Sequence, residues 1–183
     1  MKLMIASDIH GSAFYCKKLI EAYKKEGRDR MLLLGDILYH GPRNDLPKEY
    51  APKEVIEMLN GMKEEIFCVR GNCDTEVDQM VLSFPVLADY AVIPMKKGLI
   101  YATHGHVYNN GKLPPIMKND ILLHGHTHVP MCEKFDTHTY MNPGSVSIPK
   151  ENSANSYMTF DGETFLWKSL DGEVYLEYTP DNI

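Results

Sequence analysis

Leu3-Met4-Ile5-Ala6-Ser7-Asp8-Ile9-His10-Gly11 is the stretch from which the fold is read. Leu3 to Ala6 is a short apolar run closed by polar residues, the pattern of a buried strand. A helix pattern follows it. Ser12 can cap that helix, Cys16, Leu19, Ile20 and Tyr23 recur at i, i+3, i+4 and i+7, and Gly27 can stop it. The alternation then repeats. Met31 to Leu34 reads as a strand closed by Gly35-Asp36. Pro52 opens a helix carrying Val55, Met58 and Leu59, which Asn60-Gly61 ends. Ile66 to Val69 reads as a third strand closed by Arg70-Gly71-Asn72. Strands alternating with helices imply a largely parallel first sheet.

The second half reads differently. Tyr90 to Pro94, Leu99 to Thr103 and Ile121 to Leu123 are short strand patterns with few helical signals between them. Asp161-Gly162 and Asp171-Gly172 sit between β-rich runs and signal hairpins. The expectation is a second, more antiparallel sheet packed on the first, with helices outside. From Tyr39 to Ala51 the chain has Pro42, Pro47 and no periodicity, and so long a connection is usually functional or disordered.

Composition narrows the function. The chain has 183 residues, 44% hydrophobic and 24% charged, which suits one domain spanning residues 1–183. No apolar run approaches the ~20 residues needed to span a bilayer, so no membrane association is expected. The apolar stretch before Ser7-Asp8 falls short of the roughly 7–15 residues of an export signal. Cys16, Cys68, Cys73 and Cys132 form no CxxC pair and read as reduced thiols of a cytoplasmic protein. The 19 Lys and Arg against 25 Asp and Glu leave a net charge of −6, which argues against long nucleic acid as a partner. A small phosphate-bearing substrate stays compatible with that charge, because bound metal ions reverse the field locally.

Five polar clusters lie just beyond the expected strands. They are Asp8-Ile9-His10-Gly11, Gly35-Asp36, Gly71-Asn72-Cys73-Asp74, Thr103-His104-Gly105-His106 and His124-Gly125-His126-Thr127-His128. Strand carboxyl ends are where α/β folds gather distant positions around a ligand. Each cluster offers a hard oxygen or an imidazole beside a glycine that permits a tight turn. Singly, each is also read as a surface turn or as exposed histidines. In order, each after a strand, they read as a metal site.

Taken together, Asp8-x-His10, Gly35-Asp36, Gly71-Asn72-x-Asp74, His104-Gly105 and Gly125-His126-Thr127-His128 resemble the calcineurin-like metallophosphoesterases, from Lys2 to about Lys150. More narrowly, His40-Gly41-Pro42-Arg43-Asn44, Arg70-Gly71-Asn72-Cys73-Asp74 and Asn142-Pro143-Gly144-Ser145 resemble the YfcE-type phosphodiesterases. That resemblance implies an α/β, two-sheet α/β/β/α sandwich with two divalent metal ions, chiefly Mn²⁺, with Fe, Zn²⁺ and Ni²⁺ as alternatives. It implies Asp8, His10, Asp36 and His128 on one ion, and Asp36, Asn72, His104 and His126 on the other. Asp36 would bridge, offsetting the repulsion of two dications, and neutral Asn72 would add an oxygen without charge.

On that reading a hydroxide between the ions attacks phosphorus in line with the leaving oxygen, while Arg43 steadies charge on the phosphoryl oxygens. Arg43 reads equally as a solvated loop charge, and His40 as a pocket residue or a surface histidine. Cys73 stands where many relatives have a histidine thought to protonate the leaving group, and a thiol near pKa 8.5 is a poor general acid at neutral pH. It also reads as a small packing residue. Asp74 reads as orienting a site neighbour or capping the next turn, and His106 and His124 as flanking supports. The expected activity is hydrolysis of a small phosphodiester, with a homo-oligomer as an option. Phosphomonoester hydrolysis on the same metals and a protein-binding scaffold of the same fold, like the retromer subunit, are the competing readings.

Overall fold

The computed structural model describes residues 1–180. The first strand, β1 (Leu3–Ala6), shows how the layers stack. Successive strand side chains point to opposite faces. Leu3 and Ile5 therefore enter the core between the two sheets, while Met4 and Ala6 enter the core under the helices. α1 (Ala13–Glu26) covers the second core with Cys16, Leu19 and Tyr23. Ser12 caps it by accepting from the Tyr15 N–H, and Gly27 ends it at φ 58°. β2 (Arg30–Leu33), α2 (Pro52–Asn60) and β3 (Ile66–Cys68) follow, with a short 3-10 turn at Lys63–Glu65. β1, β2 and β3 pair in parallel, as the strand–helix alternation requires. α3 (Glu76–Val81) opens with a capping box between Thr75 and Asp78 and buries none of its residues.

The remaining strands are β4 (Ala91–Pro94), β5 (Leu99–Thr103), β6 (Ile121–His124), β7 (Pro130–Lys134), β8 (Thr139–Pro143), β9 (Ser156–Phe160), β10 (Phe165–Ser169) and β11 (Val174–Tyr178). One sheet runs β11-β10-β9-β1-β2-β3 and the other β4-β5-β6-β8-β7. Both are mixed, and the protein is an α/β two-sheet sandwich with helices. Trp167 ties the sheets together. Its ring is fully buried between them, and its Nε1–H donates to the Asn142 carbonyl in β8 at 2.7 Å.

Two expectations need correction. The hairpins at Asp161-Gly162 and Asp171-Gly172 form, but they extend the first sheet, with β9 pairing antiparallel to β1. The second sheet is also less antiparallel than expected, because β5 pairs with β6 and β6 with β8 in parallel. Turn chemistry specifies which neighbours pair; it carries no information about which sheet edge the hairpin joins. Among the described residues no helix is long and apolar enough to cross a membrane.

Candidate metal centre

Five strands deliver their ends to one place. Asp8 follows β1, Asp36 follows β2, Asn72 follows β3, His104 follows β5, and His126 and His128 follow β6. Asp8, His10, Asp36, His104 and His128 are buried there, His126 is half-buried and Asn72 is exposed. Burying two carboxylates and several imidazoles costs several kcal/mol unless opposite charge meets them.

The geometry divides into two overlapping halves. Asp8 Oδ1 lies 3.2 Å from His128 Nε2 and 3.6 Å from His10 Nε2, and the two imidazole nitrogens are 3.3 Å apart. On the other side His104 Nε2 lies 3.0 Å from Asn72 Oδ1 and 3.2 Å from His126 Nδ1. Asp36 Oδ2 stands between the halves, 3.7 Å from His10 Nε2 and 3.4 Å from His104 Nε2. Asp8, His10 and His128 form one set of converging ligand atoms, His10, Asp36 and Cys73 a second, and Asp8, Asp36 and His104 a third.

Three imidazoles are oriented by the backbone. His10, His104 and His128 donate their Nδ1–H to the carbonyls of Tyr39, Leu34 and Ile148 at 2.6, 2.7 and 2.6 Å. That leaves every Nε2 aimed at the shared space, the arrangement expected of metal-binding histidines. The backbone itself is held in an uncommon state. Asp8, His10, Asp36, His126 and His128 all have positive φ, between 48° and 68°. For residues with a Cβ this costs on the order of 1 kcal/mol each and marks functional sites. Glycine is required at position 71, because a Cβ there would collide with the Asp36 carboxylate.

Supporting groups surround these residues. Asp36 Oδ1 accepts from the Cys73 N–H at 2.8 Å, and Asp8 Oδ2 accepts from the His126 N–H at 3.1 Å. The Asn142 side chain donates to the Gly125 carbonyl at 2.9 Å and to Thr127 Oγ1 at 3.0 Å, bracing the His126–His128 turn. Ser145 and Ser147 hydroxyls both donate to the Asp8 carbonyl at 3.0 Å. Asp74 orients a neighbour and does not cap the next helix, since the Thr75–Asp78 box does that. His124 stacks on Tyr140 at 4.5 Å between centroids, and burial lowers its pKa to about 4. His106 is exposed, with its ring 5.4 Å from that of His104.

Charges within the cluster are set by burial and by neighbours. For Asp8, burial opposes ionisation, but the His10, His128 and His104 imidazoles beside it hold its pKa well below the usual carboxylate range. For His104, burial opposes protonation, yet the Asp36 hydrogen bond and the Asp8 and Asp36 charges raise its pKa to about 9. Cys73 is half-buried, and burial together with the Asp36 charge pushes its thiol up to about 12.

A divalent cation fits these residues. Asp8 Oδ1 is a buried carboxylate oxygen without a hydrogen-bond donor, facing the imidazole nitrogens. An orphaned buried acceptor of this kind is costly unless a cation meets it.

A cavity of about 430 Å³ opens over the cluster, lined by Asp36, Asn72, Cys73, His126 and His128, with Arg43 and Lys150 on its walls. His40 does not line it; its ring packs edge-on against Tyr39 and Tyr50 at 4.7 and 5.2 Å. A larger cavity of about 510 Å³ lies elsewhere, beside Lys97, Lys118 and Phe135, and among the described residues no metal-ligating trio converges there. Sequence reasoning missed Lys150. Nothing in the pattern around it signals a site, because it arrives only through the return of the chain past Asp8 and His128.

A two-sheet sandwich with paired acid–imidazole ligands at its strand ends defines a metal-dependent hydrolase scaffold. The chain belongs to the calcineurin-like phosphoesterase superfamily, whose domain model matches residues 1–164. It is 45% identical over 163 residues to Phosphodiesterase YfcE of Escherichia coli K12, covering 89% of each chain. The solved structure of E. coli YfcE, described as a phosphoesterase, superposes with a TM-score of 0.95 at 42% identity, covering 99% of this chain and 100% of that one. Vps29 of Entamoeba histolytica complexed with Zn²⁺ shares the fold at 21% identity and a TM-score of 0.64, covering 98% of this chain and 99% of that one. Membership of this superfamily implies divalent metal ions at the site.

Proposed function

We propose that this protein is a phosphodiesterase that hydrolyses a small phosphodiester with the help of two divalent ions, Mn²⁺ foremost. The likeness to a curated phosphodiesterase over 89% of both chains supports the reaction class. The observation that carries the reading is the carboxylate of Asp36 lying between His10 and His104, with Asp8 Oδ1 unpartnered beside it. Asp8, His10, Asp36 and His128 would hold one ion, and Asp36, Asn72, His104 and His126 the other. When bound, such ions would supply Lewis acidity toward a phosphoryl oxygen and would make an attacking water easier to deprotonate.

The chain's own residues do the rest. The carbonyls of Tyr39, Leu34 and Ile148 each accept an imidazole Nδ1–H and so turn each Nε2 toward the shared space. Arg43 lines the cavity and would pair with phosphoryl oxygens in the transition state. Cys73 is a packing and hydrogen-bonding residue rather than an acid: a thiol with a pKa near 12 holds its proton at neutral pH. Substrates with acidic leaving groups should therefore turn over faster than alkyl esters. Residues 1–183 would work as one domain. The unbridged cysteines suit the reducing cytoplasm.

The test is hydrolysis of matched mono- and diester model substrates after chelation and after restoring Mn²⁺. Diester cleavage that disappears and returns supports the reading. Diester cleavage that persists through exhaustive chelation overturns it, and a preference for the monoester transfers the protein to the phosphomonoesterases.

A further inference from the structure

The cavity over the ligand cluster has two cationic walls that come from unrelated parts of the chain. Arg43 belongs to the long connection after β2. That connection is pinned where Asn44 donates to the His40 and Gly41 carbonyls at 2.8 and 3.3 Å, and Gly41 faces Cys73. This wall therefore stands on the Asn72–Cys73 side. Lys150 stands on the other. Its backbone N–H donates to the His128 carbonyl at 3.1 Å, and its own carbonyl accepts from the Ser153 hydroxyl at 2.6 Å and the Ser153 N–H at 3.0 Å. The Lys150 Cα is thus fixed beside His128, and Lys150, an exposed residue, lines the cavity.

Among the described residues, neither Arg43 nor Lys150 has a carboxylate partner, although the chain carries a net charge of −6. The reacting phosphate of a diester carries a single negative charge. Arg43 and the ligand cluster already answer it, so the cation beside His128 is surplus to the reacting group. A substrate that fills the cavity from wall to wall would bring a second anion to it. Fixed cations in clefts discriminate by charge and geometry more than by raw affinity.

We propose that Lys150 is a specificity-determining residue that binds a second anionic group, so that the preferred substrate is a phosphodiester with a further phosphate on one arm. This rests on the phosphodiesterase reading.

The test compares thymidine 5′-(p-nitrophenyl phosphate) with the same ester bearing a 3′-phosphate, in wild type and in Lys150→Ala. Wild type should favour the 3′-phosphorylated ester roughly tenfold in kcat/KM, the scale of one charge-assisted contact, and Lys150→Ala should bring that ratio close to unity. A second readout is calorimetric binding of thymidine 3′,5′-bisphosphate against thymidine 5′-monophosphate. Lys150→Ala should weaken the bisphosphate about tenfold more than the monophosphate. A wild-type ratio near unity, or a ratio that survives Lys150→Ala, overturns the proposal. If neither ester is hydrolysed, the phosphodiesterase reading is what fails. The binding comparison then decides on Lys150: a selective loss of bisphosphate affinity supports its role, and an equal loss or none refutes it.

Discussion

The carboxylate of Asp74 accepts the backbone N–H of Asp36 at 2.8 Å, so one buried acid holds the turn that presents another. The same carboxylate accepts from Ile37 at 2.9 Å and from Gly71 at 2.7 Å, which joins the turns after β2 and β3. Removing it leaves three buried donors without an acceptor. Asp74→Ala should cost at least about 2 kcal/mol of stability. It should also weaken metal binding about 10–100-fold, the usual effect of losing a group that orients a ligand. Thermal unfolding and a Mn²⁺ titration of the folded variant measure both; unchanged metal affinity would show that Asp74 serves only the fold.

Asp36 is the carboxylate common to both halves of the cluster. Asp36→Asn keeps the size and the hydrogen-bond acceptor toward Cys73 while removing the charge that faces His10 and His104. Hydrolysis should drop to background with the circular dichroism spectrum intact. Turnover at the wild-type rate would remove Asp36 from the shared position.

His104 sets a proton linkage. Its folded pKa of about 9 means that the metal-free protein carries this imidazole protonated at pH 7.5. A metal ligand must be neutral, so adding Mn²⁺ at that pH should release about one proton from His104. In weakly buffered solution with an indicator dye, release should shrink as the starting pH passes 9. The sign for the metal-free fold is opposite to that of a carboxylate: stability from protonated His104 is complete below its ordinary pKa of 6.5 and is lost as pH rises through about 9. Metal binding without proton release at pH 7.5 would contradict a His104 that is protonated in the metal-free protein and gives up its proton to a metal.

Away from the site, Glu26 joins α1 to the C-terminal strands. Its Oε1 accepts from Lys168 Nζ at 2.6 Å and from the Tyr157 hydroxyl at 2.9 Å. Burial opposes its ionisation, but those two hydrogen bonds outweigh it and lower the pKa from 4.5. The resulting stability is present above pH 4.5 and is lost as pH falls through the lowered value. Glu26→Gln should therefore flatten the acid limb of the stability–pH curve and cost about 1–2 kcal/mol at pH 7. Denaturant melts between pH 3 and pH 7 test this; an acid limb identical to wild type would place the effect elsewhere.

How much of this was legible in the sequence follows from the range of the interactions involved. Leu3–Ala6, the Ser12 cap and the Gly27 stop were readable because apolar period and capping are local. The clustered carboxylates and imidazoles were readable as candidates because each follows a strand within a few residues. α3, β7 and β8 were missed. α3 has no buried stripe, and β7 has no buried residue. Asn142-Pro143 favours a turn by residue type, whereas Asn142 is a fully buried strand residue whose side chain braces the His126–His128 turn. The joining of β9 to β1 and the arrival of Lys150 beside His128 depend on contacts more than 20 residues apart in the chain, which no local pattern encodes.

The central claim is that Asp36 sits between two divalent ions. Anomalous scattering from crystals of the Mn²⁺-loaded protein tests it most directly. The account predicts two peaks per chain flanking the Asp36 carboxylate, one beside Asp8, His10 and His128 and the other beside Asn72, His104 and His126. A single peak, or manganese bound away from Asp36, would contradict it.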